Sequence, residues 1–527
     1  YKISGPTIYG RMSDRELKSL FYGYGYNPFI VKDPHVYEKM TEALEKAADS
    51  IAQIQNEARS GREVSSPRYP VIILKTPKGW TGIKKLNGKK LEGNYLSHQV
   101  IAKEAKTDSR ERLALERWLN SYNFRELFDK NNGFSKSVRE VIPVPELCMG
   151  DNKRVFGGQE ISESLILPAA EKFSEDASEP GIIGSSSMRR IGLYLNEVIK
   201  MNYDKRNFRL FSPDETYSNK LDKVFESTAR SFVWPRKSTD ENMLSDGRVI
   251  EMLSEHSLQG LMQGYVLTGR HGVFASYEAF IQIISSMADQ YAKFLKIAIE
   301  TPWRGNVPSF NYILTASGWR QEHNGFSHQN PGFIDSMIQK QGCFVRVYFP
   351  PDANSALVCL EHCLRSRNQI NIIVAGKTFE PRWLTPELAE EERERGVMIW
   401  DFASDPEPDI VLAAVGDYLT KEALAAIDIV KKERASIKIR FVNIMELSSF
   451  GIGNQDCKAP AHDFGAYFTK DKPVIFNFHG YPQTLKQLLF DYGSELGRFS
   501  VHGYIENGST TTPFDMHVRN QTSRYHL

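Results

Sequence analysis

Short apolar runs alternate with longer amphipathic stretches along most of the chain. Residues 70–75 and 370–375 are mostly apolar segments of strand length, the second with an apolar run at 372–375, whereas residues 189–201 are predicted to be helical. Alternation of strand and helix predicts α/β layers with mostly parallel sheets. Further strands are predicted at 208–211, 310–316, 344–349, 409–415, 437–444 and 472–478. Further helices are predicted at 108–128, 278–300, 352–367 and 421–432, the last two capped by Asp352 and Thr420. The segment 249–269 is predicted to contain a short strand followed by a helix.

Residues 129–186 interrupt this alternation. They carry Gly, Pro and Ser clusters without sustained periodicity, which predicts a long linker. At roughly 150 residues per domain, a chain of 527 residues is long enough for three or four domains. The predicted division is a domain at 1–128, the linker at 129–186, and two further domains at 187–381 and 382–527.

Composition and charge exclude several classes of protein. Hydrophobic residues make up 41% of the chain and charged residues 25%, as in ordinary globular proteins. The formal net charge is +1, so no overall field favours nucleic acid. No stretch approaches the ~18 apolar residues of a membrane span, and no signal segment opens the chain. The five cysteines are scattered, which predicts reduced thiols. Together, these features predict a cytoplasmic protein without membrane or nucleic-acid partners.

The densest polar cluster lies at residues 319–329, directly after the predicted strand at 310–316. It contains His323, Asn324 and His328, which together offer hydrogen-bond donors, acceptors and titratable groups. In open α/β sheets, ligands bind beyond the carboxyl ends of the strands. This position favours a functional site over a merely polar loop.

Four smaller features are ambiguous when the residues are read alone. Glu255 follows an apolar run, so it is either a buried carboxyl with a raised pKa or an acidic residue at a helix N-terminus, and the second reading is favoured. Tyr277 and Phe280 could clamp a flat ring at a helix start, but core packing is favoured. The segment at 213–219 predicts a loop closing onto a helix N-terminus, either an anion site or simple capping, with capping favoured. The Ser-His-Gln sequence at 97–99, with a lysine twenty residues earlier, is weak on its own.

Taken in order along the chain, these segments resemble a known family, the thiamine-diphosphate-dependent phosphoketolases. That family splits xylulose 5-phosphate or fructose 6-phosphate with inorganic phosphate. Each motif is modest, but the ordered set is specific and covers nearly the whole chain. The motifs are T-P-K-G-W-T-G from Thr76, S-H-Q-V from Ser97, P-D-E-T from Pro213, S-E-H from Ser254, S-Y-E-A-F from Ser276, H-N-G-F-S-H-Q from His323, V-A-G-K from Val374 and F-H-G-Y-P from Phe478.

The resemblance implies a role for each matching residue. Glu255 would hydrogen-bond the aminopyrimidine ring of thiamine diphosphate, Phe280 would face that ring, and the backbone carbonyl of Tyr1 would bind Mg²⁺. The family's reaction also removes a hydroxyl group, which needs a general acid. The residues that the resemblance implies near that hydroxyl and the cofactor are His98, His328, His323 and Lys78. Those that it implies near the substrate or phosphate are Gln99, Ser218, Tyr277, Asn324 and Lys377. Glu215 would belong to an acid–base network.

The family also implies a fold, an assembly and a set of products. The expected fold is transketolase-like, with three α/β domains, and the expected assembly is a homodimer or higher oligomer with active sites at the interface. The products would be acetyl phosphate with glyceraldehyde 3-phosphate or erythrose 4-phosphate. Family members carry residues before the position of Tyr1, including a Gly-Asp-Gly motif for magnesium, so a fragment lacking the N-terminal part is expected. A transketolase-type two-carbon transfer and a non-catalytic paralogue or scaffold are the alternatives.

Overall fold

The computed structural model describes residues 3–61, 66–131, 133–158, 161, 163–316, 318–319, 324–340, 344–451, 463–492 and 496–527. The chain divides into two compact units. The first unit comprises Tyr1–Asp151 with Phe232–Asp240, and the second comprises Asn152–Ser231 with Glu241–Leu527.

The first unit is built around a pair of parallel strands. The predicted strand at 70–75 is confirmed, and it pairs in register with a strand that the sequence analysis did not predict. A small apolar cluster centred on Val31, Val36 and Ala43 packs against this pair. The elements are α1 (Asp14–Gly23), β1 (Tyr26–Lys32), α2 (Val36–Arg59), β2 (Tyr69–Lys75), β3 (Lys85–Leu86), β4 (Lys89–Lys90), α3 (Ser109–Asn120) and α4 (Lys136–Val141).

The second unit contains a large sheet over the region that begins near residue 184. Its eight strands are all paired in parallel, in the order β12-β13-β11-β10-β6-β9-β7-β8. The elements are α5 (Lys153–Phe156), β5 (Gly184–Ser185), α6 (Ser187–Met201), β6 (Phe208–Ser212), β7 (Arg230–Ser231), β8 (Met243–Leu244), β9 (Val249–Glu251), α7 (Glu255–Leu267), β10 (His271–Tyr277), α8 (Glu278–Ile281), α9 (Ser285–Glu300), β11 (Phe310–Thr315), α10 (Gly332–Ile338), β12 (Val345–Tyr348), α11 (Ala353–Arg365), β13 (Ile370–Ala375) and β14 (Glu380–Pro381).

A second sheet of five strands follows in the same unit. Its order is β15-β17-β16-β18-β19, and only the edge strand β15 runs antiparallel. Two extensive apolar clusters pack against these sheets, and each draws residues from both sheet regions. The elements are α12 (Pro386–Arg395), β15 (Val397–Ile399), β16 (Ile410–Val415), α13 (Asp417–Glu433), β17 (Ile439–Ile444), α14 (Phe464–Phe468), β18 (Val474–Phe478), α15 (Pro482–Leu489), β19 (Phe499–His502) and α16 (Pro513–Arg519).

Predicted strands agree well with this architecture, but some helix boundaries were wrong. The predicted helix at 278–300 is interrupted by a 3₁₀ turn at Gln282–Ile284 between α8 and α9. Asp352 caps α11 as predicted, accepting the N–H of Ser355. Thr420 does not cap a helix: α13 begins at Asp417, and the Thr420 hydroxyl lies inside it, donating to Asn443. The predicted helix at 108–128 ends at Asn120. Among the described residues, no helix combines the length and apolar character needed to cross a bilayer.

Candidate active site

Five neighbouring strands of the large sheet end near the predicted site residues of the second unit. In sheet order these strands are β13, β11, β10, β6 and β9. Because all five are parallel, their carboxyl ends lie at one edge of the sheet, the usual place for a ligand in an open α/β fold. The residues that follow or end these strands are, in the same order, Lys377, His328, Tyr277, Glu215 and Glu255.

Glu215 is fixed by the turn after β6 and by the end of β10. Its own N–H donates to Ser212 Oγ at 3.2 Å, and its Oε2 accepts the backbone N–H of Tyr277 at 3.0 Å. The Ser218 hydroxyl donates to the Glu215 carbonyl at 3.2 Å. The expectation of a loop closing onto a helix N-terminus was wrong, since turns occupy 216–220 and the next helix is a 3₁₀ turn that begins at Asp222.

The surroundings of Glu215 raise the pKa of its carboxyl group towards neutral pH. Burial raises its pKa from the ordinary 4.5 to about 7, and the nearby charge of Glu255 adds to the increase. The Tyr277 N–H, the Asn219 side chain and the charge of Lys377 act in the opposite direction. A carboxyl with a pKa near 7 is present in both forms at neutral pH, so Glu215 can both donate and accept a proton.

Glu255 is the first residue of α7, directly after the N-cap Ser254, whose hydroxyl accepts the N–H of Ser257. The helix-start position favoured by the sequence is therefore confirmed. Its side chain is only partly buried, and its charge acts on Glu215. Two carboxyl groups thus interact at the ends of the neighbouring strands β6 and β9.

Three rings form a partly exposed aromatic cluster beside these carboxyl groups. Tyr277 and Phe280 stack with centroids 5.8 Å apart, and His328 meets Phe280 edge-on at 4.8 Å and lies 6.2 Å from Tyr277. His328 Nδ1 is 2.9 Å from the Ser327 hydroxyl, a contact at one edge of the imidazole ring. The core packing favoured by the sequence alone for Tyr277 and Phe280 was wrong, because both rings keep exposed surface in this unit.

Lys377 brings a positive charge to the same cluster. It follows β13, its side chain is buried, and its Nζ lies 4.1 Å from the centroid of the Tyr277 ring. The Ser186 hydroxyl donates to the Lys377 carbonyl at 2.9 Å, which fixes the backbone beneath it. A buried ammonium group near a partly open aromatic cluster is suited to bind an anionic group of a ligand.

In the first unit, Lys78 and His98 come together by close packing of two loops. Lys78 Nζ lies 3.4 Å from His98 Nδ1, and both groups keep exposed surface, as does Gln99. Gly79 has φ +76°, and a Cβ on it would lie 2.5 Å from Ser97 Cβ. Only glycine allows this approach, so the Gly of the T-P-K-G-W motif brings its lysine against the histidine of the S-H-Q motif.

Three predicted residues add little to this geometry. Tyr1 and His323 lie outside the described residues, and Asn324 is partly buried just before the 3₁₀ turn at Phe326–His328. In the described part of the chain, no group of three or more His, Cys, Asp or Glu residues could hold a metal ion.

Two buried residues next to the site were given no role by the sequence analysis. Glu278 follows Tyr277 directly, and His479 follows β18; their side chains form an ion pair with His479 Nε2 2.9 Å from Glu278 Oε1. Both lie within motifs quoted above, S-Y-E-A-F and F-H-G-Y-P, so the signal was present. Their contact across 201 positions of sequence was not predictable from either motif.

Solved transketolases have the same fold. The Campylobacter jejuni enzyme matches with a TM-score of 0.59 and 17% identity, over 98% of this chain and 69% of that one. A Pichia stipitis transketolase matches with a TM-score of 0.60 and 15% identity, over 98% and 67%. The predicted transketolase-like α/β class is therefore confirmed, at identities that define the fold alone.

Sequence comparison narrows this class to one family. The D-xylulose 5-phosphate/D-fructose 6-phosphate phosphoketolase family matches residues 189–366, and its N-terminal and C-terminal domains match residues 1–160 and 377–527. A probable phosphoketolase 2 from Rhizobium meliloti is 46% identical over 534 residues, covering all of this chain and 68% of the relative. A probable phosphoketolase from Bradyrhizobium diazoefficiens is 44% identical over 536 residues, covering all of this chain and 67% of the relative. The chain belongs to the phosphoketolase family, which confirms the resemblance.

Proposed function

We propose that the chain acts in a phosphoketolase reaction that cleaves xylulose 5-phosphate, fructose 6-phosphate or both. Inorganic phosphate would take up the two-carbon unit with loss of water, giving acetyl phosphate together with glyceraldehyde 3-phosphate or erythrose 4-phosphate. The observation that carries the proposal is the convergence of Glu255, Glu215, Tyr277, His328 and Lys377 at the carboxyl ends of five neighbouring parallel strands, in a chain of this family.

The residues of the second unit fit thiamine diphosphate as the cofactor. When bound, it supplies a nucleophilic carbon and an electron sink for the cleaved carbon–carbon bond. Phe280 would pack on the aminopyrimidine ring, since its partly exposed ring belongs to an aromatic cluster. Glu255 would hydrogen-bond a ring nitrogen, and Lys78 and His98 would also contact the cofactor. Mg²⁺ completes the proposed set, with Tyr1, which lies outside the described residues, as one ligand through its backbone carbonyl.

Proton transfer is assigned to Glu215 and to histidines. Loss of a hydroxyl group from carbon requires a proton at the departing oxygen, and His328, His98 and His323 are the proposed donors or relays. Glu215 would exchange protons within this network, because its pKa of about 7 allows both forms at neutral pH. The Ser327 hydroxyl lies 2.9 Å from His328 Nδ1 and helps to fix the orientation of the imidazole ring within this network.

Anion binding is assigned to groups that surround the aromatic cluster. Lys377 would bind the phosphate of the sugar, because its buried side chain places Nζ 4.1 Å from the centroid of the Tyr277 ring. Ser218, Tyr277, Asn324 and Gln99 would supply hydrogen bonds to substrate or inorganic phosphate. Fixed donors of this kind select phosphate by geometry instead of by overall charge, which is close to zero here.

We further propose a cytoplasmic homodimer or higher oligomer with active sites completed between subunits. Complementation tests this assembly directly. His98→Ala and Glu255→Gln, each inactive when alone, would regain part of the activity when unfolded and refolded together, because a mixed dimer contains one site with both native residues. No recovery despite demonstrated mixed dimers would refute a shared site.

The reaction itself is tested by product analysis in the full-length protein. With thiamine diphosphate, Mg²⁺, xylulose 5-phosphate and inorganic phosphate, acetyl phosphate should form without any acceptor aldose. Product formation only after addition of an aldose would indicate transketolase activity instead. Absence of both reactions in a protein that binds thiamine diphosphate would support the non-catalytic alternative.

A further inference from the structure

A buried ion pair links the candidate active site to the five-stranded sheet. His479 Nε2 lies 2.9 Å and 3.0 Å from the two oxygens of Glu278, and each side chain is at most 3% exposed. Burial alone would lower the pKa of His479, but Glu278 and the buried Asp417 together raise it. The imidazole and the carboxyl group thus form a buried pair that is costly to break, because removal of one group would leave the other buried without its partner.

His479 has a rigid support of its own. Its backbone N–H donates to the Val415 carbonyl at 3.1 Å, which ties it to the end of β16. Its carbonyl accepts the Trp319 indole N–H at 2.6 Å. Gly416 beneath it has φ +109°, and a Cβ there would lie 3.2 Å from His479 Cβ. The imidazole is thus presented to Glu278 from a fixed position at the carboxyl edge of the second sheet.

The partner of His479 lies next to the aromatic cluster along the chain. Tyr277 is held through its backbone N–H by Glu215, and Glu278 is held through its carboxylate by His479. α8 has only four residues, so its own hydrogen bonds cannot fix the directions of Tyr277 and Phe280. The hydrogen bond from the Tyr277 N–H to Glu215 and the pairing of Glu278 with His479 therefore fix the position of this segment.

The segment that carries His328 is held from the same region. Gln329 Nε2 donates to the Ser509 carbonyl at 3.1 Å, and the Tyr504 hydroxyl donates to Gln329 Oε1 at 3.4 Å. Both of the segments that bring rings to the cluster therefore depend on residues from 382–527, a region to which the proposed function assigns no catalytic group.

We propose that Glu278 and His479 are a positioning pair, through which the region 382–527 sets the geometry of Tyr277, Phe280 and His328. The proposal rests on the proposed function for its catalytic consequence, but not for its structural one. Displacement of reacting groups by about 1 Å can lower a rate about a hundredfold, so loss of the pair should lower kcat far more than it changes KM.

The test uses His479→Gln in the full-length protein, with Glu446→Gln as a matched control. Glu446 is fully buried and pairs with Arg346 at 2.8 Å, so its loss also breaks a buried ion pair between β12 and the region 382–527. Arg346 lies on β12, which β13 and β11 separate from β10, the strand that ends at Tyr277. Crystal structures, melting temperatures and steady-state kinetics are compared for both variants.

For His479→Gln we expect the Phe280–His328 centroid distance to change from 4.8 Å by about 1 Å, and kcat to fall about a hundredfold. Glu446→Gln should lose comparable thermal stability but keep the ring geometry and kcat within about threefold. If His479→Gln gives too little folded protein, the double variant Glu278→Gln with His479→Gln carries the same test, because it leaves no unpaired charge.

Unchanged ring geometry and kcat in either of these variants would overturn the proposal, as would equal losses of kcat in His479→Gln and Glu446→Gln. If the parent protein forms no acetyl phosphate, the proposed function fails, and the ring geometry in the crystal structures still decides whether the pair positions the cluster.

Discussion

Replacing Glu215 by glutamine should make the protein's stability less sensitive to pH. Burial raises the pKa of this carboxyl to about 7 in the folded chain, against an ordinary 4.5. Between these two values the folded state holds a proton that the unfolded state has lost, so stability falls as the pH rises through this window. One unit of pKa shift corresponds to about 1.4 kcal/mol, so the penalty that accumulates between pH 5 and pH 8 is about 2–3 kcal/mol. Glutamine cannot ionise and avoids that penalty.

The assay is thermal unfolding of the cofactor-free protein from pH 5 to pH 8. An unfolding entropy of roughly 2.1 cal/mol/K per residue converts the penalty to about 2–3 °C for a chain of this length. The melting temperature of Glu215→Gln minus that of the parent should therefore increase by about 2–3 °C when the pH is raised from 5 to 8. Glu226→Gln controls for the loss of a carboxylate, because its side chain is 57% exposed. Parallel melting curves for Glu215→Gln and the parent across this range would refute the burial argument.

Three further predictions concern activity in the full-length protein. Glu255→Gln should lower acetyl phosphate formation about a hundredfold or more, because the amide cannot exchange a proton; circular dichroism should be unchanged, and activity within a few fold would leave Glu255 as a helix-start residue only. His328→Ala should release aldose phosphate in an early burst without matching acetyl phosphate in quenched-flow product analysis; equal slowing of both products would assign His328 to an earlier step. Lys377→Met should raise KM for the sugar phosphate about tenfold or more with a smaller effect on kcat, and an unchanged KM would remove Lys377 from phosphate binding.

The strands were the most predictable part of the fold. Residues 370–375 form a buried strand with the predicted bounds, because this mostly apolar segment, with the apolar run 372–375, is best satisfied in the interior of a sheet. Strand β10 was missed, since His271, Gly272 and Ser276 interrupt its apolar character. All three are buried, and Gly272 lies where a Cβ would approach the Phe211 ring at 3.1 Å. Tertiary packing thus overrides the local pattern at the strand that carries Tyr277.

The site residues were predictable only as separate segments. The position of the polar cluster after the strand at 310–316 predicts a site at the sheet edge, while the roles of single residues are implied by the family resemblance. The raised pKa of Glu215 could not be predicted from the sequence, because the burial that causes it depends on tertiary packing of segments that are distant in sequence. The same holds for the pair of Glu278 with His479, since long-range pairing of charges leaves no periodic signal in either motif.

Two contacts hold Tyr277 and Glu278 in place. Glu278 is paired with the buried His479; burial lowers the pKa of that imidazole, but the pairing with Glu278 raises it. Glu215 titrates near neutral pH, and its ionised form accepts the Tyr277 N–H more strongly than its neutral form does. We therefore expect loss of a proton from Glu215 to strengthen its hydrogen bond with the Tyr277 N–H. Such a change would act on the segment that carries the Tyr277 ring, which stacks on Phe280 and lies beside the Lys377 ammonium group.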